Sequence, residues 1–95
     1  MKLFWTREAI QDRENIYDYI EGDNPAAALA MDDVFSSSAS RLTEHPEMGR
    51  IGRVANTREL IAHQNYILVY DVTGDQVRVL RVLHAARKWP STDRK

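Results

Sequence analysis

MGRIGRVANTRELIAHQNYILVYDVTGDQVRVLRVLHAARKWP, residues Met48 to Pro90, is the stretch that decides the fold of this 95-residue chain. It contains three strand-like runs rich in β-branched and aromatic residues, at about Val54 to Ile61, Tyr66 to Val72 and Gln76 to His84. His63-Gln64-Asn65 and Thr73-Gly74-Asp75 separate them, and connections this short close antiparallel hairpins. The runs therefore read as a three-stranded antiparallel meander. Upstream, Gly49 and Gly52 give the entry to the sheet a permissive backbone.

Working toward the N-terminus, Lys2 to Trp5 reads as a short first strand, and Thr6 supplies a hydroxyl N-cap for a helix ending near Gly22. Ala9, Ile16 and Ile20 recur along it at helical spacing, with Tyr17 and Tyr19 beside them. Arg13 interrupts the stripe; by default it lays its aliphatic stem over the core and keeps its guanidinium wet, the alternative being an ion pair with a partner. Asn24 followed by Pro25 starts a second helix, running to about His45 before Pro46 ends it. Ala28, Met31, Phe35, Ser38 and Leu42 form its packing face, and this spacing favours core packing over a ligand box. The expected class is α+β: an N-terminal strand, a helical hairpin, then the meander, with the hairpin on one face of an antiparallel sheet. No repeat or composition shift divides residues 1–95, so one domain is expected.

The formal charge of −1 conceals a strong polarity. Residues 1–48 hold 4 Lys+Arg against 10 Asp+Glu, a balance of −6, and residues 49–95 hold 9 against 4, a balance of +5. The second half is thus expected to meet an acidic protein segment or a nucleic acid, while the first repels phosphate. There is no cysteine, which excludes disulfides, thiolate nucleophiles and zinc-thiolate sites and fits a reducing cytoplasm. His45, His63 and His84 show no ligand spacing, and no metal or other cofactor is expected. MKLFWTREAI lacks a signal-like apolar stretch and no later apolar run is long enough to span a bilayer, so a cytoplasmic protein without membrane contact is expected.

Trp5, Ala9, Ile16, Tyr19, Ile20, Asn24, Pro25, Leu42 through Pro46, TREL at Thr57 to Leu60, NYILVY at Asn65 to Tyr70 and RVLHAARKWP at Arg81 to Pro90 fall in one order along nearly the whole chain. In this pattern the chain resembles the toxin half of the RelE/ParE superfamily of bacterial toxin-antitoxin pairs. AxxDxxxI at Ala9 to Ile16, NPxAA at Asn24 to Ala28 and the GRVxNTREL stretch look more like the ParE branch. Two departures are visible: Arg13 stands where the family usually has Leu, and Asn56 where it usually has Gly. Asn is the next best residue for a left-handed backbone.

The resemblance implies two mechanisms. A ParE-like toxin would inhibit DNA gyrase by binding, without catalysis. A RelE-like toxin would cleave mRNA on the ribosome, the RNA 2′-hydroxyl attacking the adjacent phosphate. Cleavage needs cations at the phosphate and a group that moves protons. The candidates are Arg58 and Arg81 for charge and His84 for proton transfer. For antitoxin or target binding they are Arg58, Arg78, Arg81, Arg87, Lys88 and Trp89. A module that binds antitoxin without toxicity is a third reading.

Strand alternation constrains these candidates. In a regular last strand Val77, Val79, Arg81 and Leu83 share one face and Arg78, Leu80, Val82 and His84 the other, so Arg81 and His84 diverge. Bringing them together requires a bulge or bend near Leu83. Each candidate also has a structural role open to it. His84 can bond backbone at the strand end, Arg58 can pair with a carboxylate other than Glu59, Arg81 can lie paired at the core margin, and Trp89 can cover the sheet. Under all three readings the first partner is a cognate antitoxin, held in a higher-order complex, whose C-terminal segment buries apolar residues on the sheet and hairpin.

Overall fold

The computed structural model describes residues 1–86. Its elements are β1 (Lys2–Trp5), α1 (Arg7–Glu21), α2 (Pro25–Leu42), β2 (Arg50–Ile51), β3 (Arg58–His63), β4 (Tyr66–Thr73) and β5 (Gln76–His84). They form one five-stranded sheet in the order β1-β5-β4-β3-β2. The meander is antiparallel as expected, with two-residue connections at Gln64-Asn65 and Gly74-Asp75. β1 instead runs parallel to β5, from Lys2 opposite Gln76 to Trp5 opposite Val79. The sheet is therefore mixed rather than wholly antiparallel. Parallel pairing needs a long crossover, and the helical hairpin with the meander supplies it.

Two element boundaries lie three residues or more from the sequence expectation, and one strand is new. α2 stops at Leu42 rather than near His45, because the Thr43 hydroxyl donates to Ser40 O at 2.7 Å and closes the last turn. β3 begins at Arg58 rather than Val54, since Val54 O accepts both the N–H and the hydroxyl of Thr57 and closes a turn there. Asn56 sits inside that turn at φ 67°, the left-handed conformation its side chain tolerates. The two residues of β2 are too few to show a periodicity, and that strand was not anticipated.

Both expected caps are made. Thr6 Oγ1 accepts from Ala9 N at 3.1 Å, and Asn24 Oδ1 accepts from Ala27 N at 3.1 Å. Thr6 also donates to Leu80 O at 2.9 Å, which fastens the start of α1 to β5. Ala9, Phe35 and Ala39 from the helices then meet Tyr66, Leu68, Val79 and Val82 from the sheet. A second cluster joins Leu42, Tyr70 and Val77. Phe35 stands edge-on to Tyr66 at 5.6 Å, and truncating so buried a ring costs about 3–5 kcal/mol. Of the two roles open to Arg13, the ion pair is the one observed. It binds Asp32 of α2 and lies 4.5 Å over the Trp5 ring, joining β1, α1 and α2.

One irregularity changes which side chains share a face. Val69 lies opposite Arg81 while Tyr70 lies opposite Val79, so Leu80 is an extra residue in β5. Val77 and Val79 pack toward the helices, and beyond the bulge Val82 does so too. Leu83 instead joins Ile67 and Val69 on the other side of the sheet, against Leu80. The expected set Val77, Val79, Arg81 and Leu83 is thereby broken, because one inserted residue inverts a period of two.

Candidate functional site

The described part of the strand half carries five arginines; the guanidinium groups of Arg50, Arg58, Arg78 and Arg81 each donate to an acceptor within the chain, and that of Arg53 lies 4.0 Å from Glu59. Arg81 is held from α1. Its Nε and Nη2 donate to the two carboxylate oxygens of Asp12 at 2.7 and 3.0 Å, and the Val82 N–H donates to Asp12 at 2.9 Å. Past Trp5, where β1 ends, β5 has no strand on its outer side. Asp12 takes the place of that strand, capping an otherwise open edge. Its hydrogen bond, more than charge proximity, raises the already high pKa of the Arg81 guanidinium.

Asp12 entered the sequence reading only as the acidic position of the AxxDxxxI pattern and not as a candidate site residue, though the signal for its role was present. It follows Ala9 by three positions and precedes Ile16 by four, which places a carboxylate on the buried face of α1. A buried acidic group demands a cationic or N–H partner, and the helix carries none nearby on that face.

Arg58 donates to Gly49 O at 2.7 Å and Glu47 O at 3.3 Å, binding backbone carbonyls and, among the described residues, no carboxylate. Tyr70, fully buried, donates to Pro46 O at 2.6 Å and accepts from Gly49 N at 2.9 Å. Burial pushes the Tyr70 phenol above its ordinary pKa, against a smaller lowering by the Gly49 hydrogen bond. Glu59, 3% exposed, accepts from Arg50 Nη2 at 3.1 Å and from Arg53 N at 3.2 Å. Three neighbouring strand side chains thus fix residues 46–53. Gly49 is required there, since a Cβ would lie 2.7 Å from the Tyr70 hydroxyl.

Arg78 makes a two-pronged pair with Asp71 directly across the β4–β5 ladder, at 2.9 and 2.6 Å. His84 lies on the helical side, its ring edge-on to Tyr66 at 5.3 Å, and its Nδ1 accepts from Ala86 N at 3.1 Å. Arg78 and His84 were expected to share a face. The Leu80 bulge separates them. Arg87, Lys88 and Trp89 lie outside the described residues.

Between α1 and the C-terminal half of β5 runs an open cleft of roughly 430 Å³, lined by Asp12, Asn15, Ile16, Tyr19, Tyr66, Val82 and His84. Its rim residue Tyr19 is 82% exposed. The cleft is aromatic and apolar, and its lining carboxylate is already paired. That composition suits a peptide segment better than a reacting phosphate. No group of three His, Cys, Asp or Glu side chains among the described residues is placed to hold a metal ion. No described helix is long and apolar enough to cross a membrane.

Residues 3–89 match the family described as the ParE toxin of the type II toxin-antitoxin system parDE. The chain belongs to the ParE toxin family. The toxin is 38% identical over 90 residues to a Sinorhizobium fredii protein named "Putative toxin Y4kP", covering 94% of this chain and 93% of that one. It is 37% identical over 86 residues to toxin RelE2 of Caulobacter vibrioides, covering 90% and 97%. A solved chain of the chromosomal ParDE system of P. aeruginosa superposes with a TM-score of 0.80 at 26% identity, covering 88% of the toxin and 95% of that chain. Fold and resemblance therefore converge on a type II toxin.

Proposed function

We propose that this toxin arrests growth by binding its target rather than by cutting RNA, that DNA gyrase is that target, and that a cognate antitoxin silences it in the cytoplasm. The observation that carries the reading is the state of the catalytic candidates. Arg81 is bound to Asp12, Arg58 to backbone carbonyls and His84 to the Tyr66 ring. Cleavage through the 2′-hydroxyl needs charge and a proton carrier converging on one phosphate. Here the same groups hold three different parts of the fold together.

The antitoxin is placed in the cleft between α1 and β5, where an extended or helical C-terminal segment covers Tyr19, Ile16 and Tyr66. Arg78, Arg87, Lys88 and Trp89 remain candidates for the same or the target contact. The relative named RelE2 favours a second reading, mRNA cleavage on ribosomes.

Induced expression in bacteria separates the two. Purified toxin is compared for inhibition of gyrase supercoiling and for cleavage of ribosome-bound mRNA. Inhibition of supercoiling with intact mRNA is the expected result, and mRNA cut on ribosomes would sink the binding mechanism.

A further inference from the structure

The fixed segment 46–53 ends in a surface that neither the core nor the cleft uses. Ile51, in the edge strand β2, is 75% exposed. It stands between Arg50 and Arg53, whose side chains are 55% and 52% exposed. Beneath them lies the buried Glu59, with Arg50 Nη2 at 3.1 Å and Arg53 Nε at 4.0 Å. Beside Ile51 is a recess of roughly 390 Å³, lined by Ile51, Asn56, Thr57, Arg58, Asp71 and Val72.

We propose that this β2 edge is the surface with which the toxin grips its cellular target, and that it receives an acidic protein segment bearing an apolar side chain. The proposal rests on the reading of the chain as a toxin that acts by binding. A guanidinium has five N–H donors, so the Arg50 bond to Glu59 orients that side chain and leaves donors for a partner carboxylate, while Arg53, anchored to Glu59 through its backbone N–H and 4.0 Å from it at Nε, keeps its side-chain donors for the partner. Glu59, Tyr70 and Arg58 hold the backbone beneath, so little ordering remains to oppose association. The outer side of β2 is a sheet edge, which an extended segment can pair with.

A protein partner is favoured over nucleic acid on two grounds. The exposed Ile51 and Val72 match apolar side chains and gain nothing from a phosphate backbone. The helical half, at −6, repels a polyanion approaching the same small domain. From β5 to β2 there are three strand spacings, about 14 Å, which separates this surface from the cleft given to the antitoxin.

The test uses the full chain with its antitoxin and the substitutions Ile51→Asp and Arg53→Ser, singly and together, which leave the Arg50–Glu59 bond in place. Four measurements are made: growth arrest on induction, affinity for the antitoxin, thermal melting, and binding to a duplex DNA oligonucleotide. The double variant is expected to lose growth arrest while antitoxin affinity stays within about twofold and melting is unchanged. If Ile51→Asp lowers the melting temperature, Ile51→Ser replaces it in every measurement.

Growth arrest as strong as wild type in the double variant overturns the proposal. So does a loss of antitoxin affinity of about tenfold, which would give this edge to the antitoxin. Duplex binding by wild type that the double variant loses would give it to nucleic acid and overturn the proposal too. Cleavage of ribosome-bound mRNA by wild type removes the binding mechanism and this proposal with it, whereas the other outcomes leave that mechanism standing.

Discussion

Asp12 of α1 accepts both Nε and Nη2 of Arg81, 69 residues further along the chain, and accepts the Val82 N–H with the same carboxylate. One side chain thereby closes the sheet edge left by the short β1 and locks the first helix to the last strand. Asp12→Ala leaves a part-buried guanidinium and a buried N–H without that acceptor, and is expected to cost about 2–4 kcal/mol in urea unfolding. Asp12→Asn, which still presents an oxygen, should cost distinctly less. Equal losses in the two variants would show that the charge, and not the hydrogen-bond geometry, holds the edge.

Tyr70 makes stability fall in alkali. Its folded pKa lies above the ordinary 10.0, chiefly because burial disfavours the phenolate. Above about pH 10 the unfolded state binds fewer protons than the folded one, so stability falls as pH rises toward the folded pKa. Below that range the contribution is complete and independent of pH. Tyr70→Phe is expected to flatten the alkaline slope while lowering neutral stability by about 1–3 kcal/mol, since Gly49 N–H and Pro46 O lose their partner. Tyr66, raised likewise by burial, leaves a residual slope. Unfolding curves from pH 7 to 11 measure both effects.

Gly49 tests the close approach that fixes the β2 segment. A Cβ there would fall 2.7 Å from both Tyr70 Cε1 and its hydroxyl, and 3.0 Å from Glu59 O. Gly49→Ala must push the segment off the sheet and is expected to destabilise by about 2–3 kcal/mol, with amide exchange accelerating across residues 49–53. Gly74, at φ 60° with open space around it, is the contrast: Gly74→Asn should be nearly silent in the same exchange experiment.

Tyr19 lies on the rim of the cleft and is too exposed to support the core. Tyr19→Ala should melt at the wild-type temperature and weaken the antitoxin complex by about tenfold or more, read by titration calorimetry. An unchanged affinity would place the antitoxin elsewhere.

His84 separates packing from proton transfer. If it serves Tyr66 and the chain end after β5, His84→Phe keeps the edge-on ring contact and full growth arrest. Growth arrest abolished by His84→Phe, in a variant that melts normally, would restore mRNA cleavage as the mechanism.

Much of the fold was legible because its signals are local. Thr6 and Asn24 cap the helices they precede, Pro25 opens α2, and two short connections turn three runs into a meander. Each depends on residues a few positions apart. β2 escaped notice because two residues carry no periodicity, and the parallel pairing of β1 because nothing local records which strand a distant segment joins.

The candidate site was less legible, because charges in sequence do not name their partners. The bias of +5 in residues 49–95 suggested an exposed basic surface. In the fold, acidic Asp12 from the opposite half binds Arg81, Asp71 binds Arg78, and Glu59 lies under Arg50 and Arg53. Much of the apparent patch is internal bonding. Arg50 and Arg53, passed over among stronger motifs, are the arginines whose exposed faces flank Ile51.

By itself, then, the sequence determined six of the seven described elements, the α+β class and the toxin family, since spacing, caps and turn residues act over a few positions and survive as a readable pattern. The tertiary structure decided what the charged residues do. The Leu80 bulge inverted the faces of β5, and ion pairs closed across as many as 69 positions, both set by packing between distant segments.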